Sequence, residues 1–562
     1  MKNQSYLFFV FLLITLANLS GQTSERIQKY REDNYGNKSE RKRGILDGNK
    51  VRTIFSNDGQ IGCWPEFPSG EWPKGGSHSY LNGSTLLLGA EFVSPGNLQT
   101  VHSVVGSYAY DVDEDPITGE KWILEAIPGY SNPNSAMPAM NINSSSWPLS
   151  WPKALNGIDY TYNGKWWCGI DAKFYPTMLP PEGTIESFFV MDDSKDFEFA
   201  RAPYSFFPVK EDLKRGGLGL RIETRILQPV QSNIEDMIFS VFDITNISDY
   251  TYQKFVIGFY INPKENIMAE RKDSVGYFLG EDLVYTFNID SVAQSVSNQS
   301  GYFGVAVFPN YYDSNLRRYV GGLSSFNAEI RSNNESNTLL LKNDEYLWNK
   351  LSQTSFTGLS TQSDVAYIMG KEMVNLHSSS YIKTANAFIW GNDYDELLLS
   401  KMNANVFWKK YILYGGGTTY LGITNLSSLI TKKELSGDVE IGYKVDNPPV
   451  GLAVILSVSP LGDMFNSTHY YKSSRDTVGK FLVNTKDFKD GVFYKFKLSF
   501  LGLNSYGEYV IPHTFVINNE GNVLPQLMFL SPIDSTYEYK ENIRVEWVSG
   551  DADSDPFQTE IY

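Results

Sequence analysis

Val439-Glu440-Ile441-Gly442-Tyr443 alternates apolar and polar side chains, and so does Ile543-Arg544-Val545-Glu546-Trp547. Each stretch follows a Ser/Thr/Lys/Glu-rich approach. Each precedes a turn rich in Asp or Pro, Asp446-Asn447-Pro448-Pro449 and then Asp551-Ala552-Asp553-Ser554-Asp555-Pro556. A period of two marks a half-buried strand, because successive side chains on a strand face opposite ways. The two stretches lie roughly 100 positions apart, about the length of one antiparallel sandwich. They therefore read as the same strand of two successive repeats. The second repeat has barely begun at Tyr562, so the pattern predicts a longer modular protein cut within its second repeat.

The other end of the chain predicts the compartment. Lys2 supplies a short positive region, Tyr6 to Ala17 is nearly all apolar, and Leu19-Ser20-Gly21-Gln22 offers small residues for cleavage. Residues 1–22 thus read as a secretory signal peptide. The apolar run is short for a hydrocarbon core of ~30 Å. No cysteine follows it to carry a bacterial lipid anchor. The expected product is secreted or held at the cell surface, with no transmembrane segment after cleavage.

Composition points the same way. Aromatics make up 14% of residues, with 36 Tyr and 34 Phe, types that suit pleated, half-buried surfaces. The 46 Gly and 25 Pro punctuate many short strands. Charged residues are only 20%, so cores can form. A net charge of −16 argues against nucleic acid as a partner, since phosphate neutralisation needs a basic face. The one basic cluster, Arg41-Lys42-Arg43, reads as a solvated linker.

Five segments follow from turn signals and periodicity. After the signal, 23–43 is a polar lead-in, either a short helix or a flexible approach. Residues 44–417 form a large β-rich domain, one big two-sheet body or two packed sandwiches. Within it, Asp236 to Ile244 and Lys254 to Ile261 flank the turn signal Asn246-Ile247-Ser248-Asp249 and read as a hairpin. One helix is expected at 393–411, where Leu397, Leu398, Met402, Val406, Phe407 and Tyr411 recur at helical spacing behind Asp393 and Asp395. Residues 418–523 carry a full set of strands for one sandwich, and 524–562 begin another.

The region 418–562 resembles tandem fibronectin-type-III or immunoglobulin-like repeats of large exported bacterial proteins. The carriers are Asp490-Gly491-Val492-Phe493-Tyr494, the closure Ile517-Asn518-Asn519-Glu520-Gly521-Asn522, and Leu530-Ser531-Pro532 with the strand and acidic turn quoted above. The larger region resembles the N-terminal part of such proteins from Bacteroidota-like bacteria, through Gly44-Ile45-Leu46-Asp47-Gly48-Asn49-Lys50-Val51, Asn57-Asp58-Gly59-Gln60-Ile61-Gly62 and Phe242-Asp243-Ile244-Thr245-Asn246. The resemblance implies cargo of the type IX secretion type and a mainly β fold of large antiparallel sandwich followed by smaller sandwiches. It implies no activity, so no catalytic residue is carried over.

Candidate chemistry is sparse. Asp111, Asp113 and Asp115 alternate in Asp111-Val112-Asp113-Glu114-Asp115-Pro116, a pattern that suits calcium. Pro116 and Trp122 stand where an EF-hand needs Gly and Glu, so only a looser calcium loop or a solvated turn remains. Trp147, Trp151, Trp166 and Trp167 cluster, either to stack on sugar rings or to fill a core beneath long loops. Cys63 and Cys168 form one disulfide or stay as two buried thiols. No GxSxG, HExxH or GxxxxGK[ST] is present. Two functions fit: an exported protein for binding or adhesion to a glycan or surface protein, without evident catalysis or cofactor other than calcium, or a secreted carbohydrate-active protein, hydrolase or binder.

Overall fold

A strand with apolar residues on both faces must be covered on both. Met237–Asn246 is such a strand, buried at every position, and the first part of the chain is built around it. The computed structural model describes most of residues 26–550. Residues 1–25 and 551–562 lie outside the description, with internal stretches of which the longest are 152–160, 168–180, 264–272, 289–300, 331–339, 461–469 and 532–545. The structure is mainly β, and the chain divides into two units, 1–413 and 414–562.

The principal strands of the first unit, in chain order, are β1 (Leu81–Val93), β2 (Thr100–Gly106), β3 (Ile185–Asp192), β4 (Leu220–Gln228), β5 (Met237–Asn246) and β6 (Tyr252–Pro263). They continue with β7 (Asp273–Phe278), β8 (Leu283–Asn288), β9 (Tyr302–Phe308), β10 (Leu323–Ile330), β11 (Val365–Lys371) and β12 (Tyr381–Gly391). One sheet runs β7-β8-β9-β12-β5-β4-β3, and the other β10-β11-β6-β1-β2, with shorter strands at their margins. Ile222, Phe242 and Phe388 of the first sheet share one core with Leu88, Phe259 and Met369 of the second. The outer faces are covered too. Helix α1 (Asp344–Ser352) lays Leu347, Trp348 and Leu351 on the second sheet. Helix α2 (Tyr394–Phe407) lays Leu397, Ala404 and Phe407 on the first. The result is helix, sheet, sheet, helix.

Helix α2 begins where the sequence placed it. The Asp393 carboxylate accepts the Glu396 N–H at 2.8 Å, so the cap satisfies a free amide of the first turn. Helix α1 needs a special seat. Gly258 of β6 and Gly370 of β11 are cross-strand partners. A Cβ on Gly258 would lie 2.2 Å from Leu351 Cδ2, and one on Gly370 2.5 Å from the Leu351 carbonyl oxygen. Only glycines let the helix come this close.

The expected hairpin is not formed. β5 pairs with β4 and β12, whereas β6 pairs with β1 and β11, in the opposite sheet. The intervening segment crosses the sandwich. Asn246 Oδ1 accepts from Ser248 N at 2.9 Å, and its Nδ2 donates to the carbonyls of Tyr250 and Leu376. Turn residues mark a reversal, but both strands need cover on both faces, and this favours one strand per sheet over a pair.

Residues 26–43 of the lead-in pack on the first unit. Residues 26–31 are helical, and the Tyr30 ring lies 3.7 Å from the guanidinium of Arg221, which is 2% exposed. Arg31 Nε donates to the Ile247 carbonyl, and Tyr35 donates to Asp212, each at 2.8 Å. Of the two readings left open, the helix is the one formed.

In the second unit, Tyr420–Ile423, Asp438–Asp446 and Val478–Asn484 form one sheet. Glu434–Leu435, Ser505–Ile517, Phe493–Gly502, Ala453–Pro460 and Tyr470–Ser474 form another, in that order. Val439, Ile441 and Tyr443 are buried and Glu440 is exposed, as the alternation predicts. Gln526–Ser531 pairs antiparallel with Glu546–Gly550. Residues 543–545 of the second quoted stretch lie outside the description.

Candidate metal centre

Within the acidic segment, Asp113 and Asp115 meet different partners. Asp115 turns inward, accepts the N–H groups of Ile117 and Thr118, and is clasped by both terminal nitrogens of Arg201. That guanidinium holds the Asp115 carboxyl well below the usual carboxylate range. The Asp115 carboxylate is thus engaged by Arg201 and is not among the carboxylates that meet Asp113. Asp111 lies outside the described residues.

Asp113 goes elsewhere. Its carboxylate meets those of Glu198 and Asp344, with one oxygen of each within 4.8 Å of the others. Oxygens around one calcium at about 2.4 Å can lie no farther apart than about 4.8 Å, so the three could share an ion. Asp196, 4% exposed, stands behind them and accepts the Glu198 N–H at 3.2 Å. Asp344 opens α1, where the helix dipole favours a carboxylate. Its Oδ2 accepts the Val104 N–H at 2.9 Å and ties the helix to β2. The neighbouring Asn343 caps the helix through the Tyr346 N–H.

Among the described residues no Lys or Arg makes an ion pair with these four carboxylates. Burial raises all of them, and for Asp113 the charges of Lys342 and Lys121 act against it. Asp196 is pushed up to about 7, by burial first and then by Asp113. Glu198 is pushed up to about 8 by burial and by the charges of Asp196 and Asp113. Asp344 stands well above the usual range for the same reasons, with Glu198 the strongest charge upon it. Four carboxyl groups so placed either share protons or hold a divalent cation. An all-oxygen set with neither His nor Cys suits calcium, magnesium or manganese rather than zinc.

Sequence reasoning found Asp113 alone of this set. The acidic pair Asp344-Glu345 behind Asn343 is a helix-start signal that could have revealed α1. Nothing local marks Asp196 or Glu198.

The tryptophan cluster is core and not a sugar platform. Trp147, Trp151 and Trp167 are 5%, 8% and 0% exposed and pack edge-on or tilted on one another and on Phe188. Trp147 Nε1 donates to the Met140 carbonyl and Trp167 Nε1 to Glu186, so their polar edges are also used internally. The rings share a core with Phe188 and Val190 of β3, over which the loops carrying them fold. The side chain of Trp166 lies outside the description. Cys63 is buried, and Cys168 lies outside the described residues, so their pairing stays an expectation.

A second feature is an open recess of about 330 Å³ lined by Ile45, Arg52, Phe67, Pro68, Glu71 and Ser79. Phe67 is 51% exposed and Ile45 43%. Among the described residues no helix is long and apolar enough to cross a membrane.

No family model matches the chain, and no curated protein matches it in sequence. Among solved structures, a polysaccharide lyase is similar over 55% of this chain and 35% of its own length, at 7% identity and a TM-score of 0.21. The chain thus spans about a third of that lyase, and a likeness of this size carries no inference about activity.

Proposed function

We propose that this chain is part of an exported, modular binding or adhesion protein of the Bacteroidota-like type, and that calcium fastens its first unit. The observation that carries the calcium reading is the meeting of Asp113, Glu198 and Asp344, backed by Asp196, from three remote segments with no ion pair to offset them. Bound calcium would replace proton sharing as the way these groups coexist, and would pin α1 and the 111–116 turn to the sandwich. Exported proteins meet millimolar calcium, the range in which extracellular modules bind it. The signal-like N-terminus and the sandwich of the second unit support export and modularity. Calorimetric titration of the metal-free protein with calcium tests the reading: heat at a single site, lost in Glu198→Gln, is expected, and no heat in the millimolar range overturns it.

A second reading, carbohydrate binding, rests on the recess. A half-exposed aromatic ring beside Arg52, Glu71 and Ser79 offers a sugar one apolar face and several polar partners. A glycan array with the full chain and its Phe67→Ala variant tests it. Equal signals from both would remove the recess from consideration.

A further inference from the structure

Lys371 ends β11 in the second sheet and is 1% exposed. Its ammonium reaches across the sandwich to the first sheet. Nζ donates to the Phe308 carbonyl at 2.6 Å, to Asn310 Oδ1 at 2.7 Å, and to the Thr384 hydroxyl. Phe308 ends β9, Asn310 follows it, and Thr384 lies in β12. Among the described residues no carboxylate forms an ion pair with this nitrogen.

An ammonium taken out of water without a counter-ion is driven toward its neutral form. Burial lowers Lys371 to about 7, against the smaller pull of Asp282 and Glu372. A neutral amine is a nucleophile.

The Asn310 side chain is suited to be attacked. It is 4% exposed. Its Oδ1 lies 2.7 Å from Lys371 Nζ, so the amine is held against the amide group. Its Nδ2 is buried with no hydrogen-bond partner. A buried NH₂ left unpaired is costly, and that cost disappears if the nitrogen departs. The amide is pressed against Gly321, where a Cβ would lie 2.4 Å from Nδ2, so the group is held in place.

Asp282 lies beyond ion-pair distance of Lys371 Nζ, and Lys401 is the charge that acts most strongly upon it. Asp282 is seated against Gly322, the next residue of the same turn, and its Oδ1 accepts the Leu323 N–H at 2.7 Å. Burial raises its carboxyl above the usual range, and it is the charge that acts most strongly on Lys371.

We infer that Lys371 and Asn310 condense to an intramolecular isopeptide bond that joins the two sheets covalently. The lone pair of Nζ forms the new bond to Asn310 Cγ, and the Cγ–Nδ2 bond breaks. One Nζ proton stays on the new amide. The other passes to Nδ2, which leaves as ammonia. No oxidant or cofactor enters the balance.

The competing state is a charged ammonium that three oxygens merely satisfy. The two states differ by the mass of one ammonia, about 17 Da. Tryptic digestion of the purified full chain followed by tandem mass spectrometry separates them. The bond joins the peptide Asp273–Arg317 to Leu351–Lys383, uncut at Lys371, at about 17 Da below their summed mass. Reading the peptide pair avoids confusion with cyclisation of an N-terminal Gln22, which releases the same mass. In Lys371→Arg, which keeps the charge but cannot form the amide, the joined pair should vanish. Wild-type protein that is cut after Lys371 and carries an unmodified Asn310 after days at neutral pH overturns the bond itself, whether or not the variant folds.

Discussion

The imidazole of His102 lies flat on the indole of Trp348, with ring centroids 4.4 Å apart and planes 12° apart. His102 belongs to β2 and Trp348 to α1, so the stack fixes the helix on the sheet. His102 Nδ1 also contacts Glu345 in the first turn of α1 at 2.6 Å. Together they set the position of Asp344, and through it the spacing of the carboxylate cluster. Truncating the buried ring in Trp348→Ala should cost about 3–5 kcal/mol and weaken calcium binding as well. A variant that loses stability but binds calcium as wild type would show that α1 is not what positions the site.

The cluster should make stability depend on pH in a stated direction. Carboxyls raised in the folded state favour folding when protonated. Their contribution is complete below the unfolded value of about 4 and is lost as pH rises through the folded values. For Asp196 and Glu198 these lie at about 7 and about 8. In EDTA the melting temperature should therefore fall between pH 5 and pH 9, and saturating calcium should remove most of the fall. A decline of equal size with and without calcium would rule out the cluster as its source.

Glu198→Gln removes one of the repelling charges and one ligand oxygen. Without calcium the variant should melt higher than wild type above pH 8. With calcium it should gain little. The crossing of the two melting curves is the diagnostic result, because a purely structural Glu198 would shift both in the same direction.

The glycine seat predicts a second route to the same loss. Gly258→Ala puts a Cβ against Leu351 and against the Met369 carbonyl oxygen, 2.3 Å away. Overpacking of this kind costs about 1–3 kcal/mol. It should lift α1, detach Asp344 from Asp113 and Glu198, and lower calcium affinity although the mutated residue touches no ligand. Calorimetry on Gly258→Ala checks this.

Trp167→Ala and Phe67→Ala should behave as opposites. Trp167 is fully buried among Trp147, Trp151 and Glu186, so its truncation should cost about 3–5 kcal/mol in a thermal melt. Phe67 is half exposed, and its loss should leave stability within about 0.5 kcal/mol. If Phe67→Ala destabilises as much as Trp167→Ala, the recess is part of the core and not a surface for ligands.

How much of this was legible follows from the range of each signal. Helix α2 could be read from Asp393 and the recurrence of Leu397, Met402 and Phe407, because a helix is specified within its own span. The alternation at Val439, Ile441 and Tyr443 was as local and as clear. The pairing of β5 with β4 and β12 was not, since residues 246–251 look alike whether the chain reverses within a sheet or crosses to another. The aromatic cluster could be seen, but whether its faces were wet depended on β3. The carboxylate cluster was hidden because Asp113, Glu198 and Asp344 are brought together by the sandwich alone. The acidic run that did attract attention contains Asp115, which spends its charge on Arg201.

The long reach of the sheet pairing has a kinetic consequence. Leu88 in β1 is opposite Ile257 in β6, and Val241 in β5 is opposite Ala385 in β12. Contacts between positions this far apart make folding slow, because the connecting chain must be ordered before the pairing rewards it. At ribosomal speeds of about 5–20 residues per second, β1 waits many seconds for β6 to be synthesised. Neither sheet can close around its core until most of the first unit has been made. Until then its apolar strands stand without their partners, and the delay exposes them to aggregation.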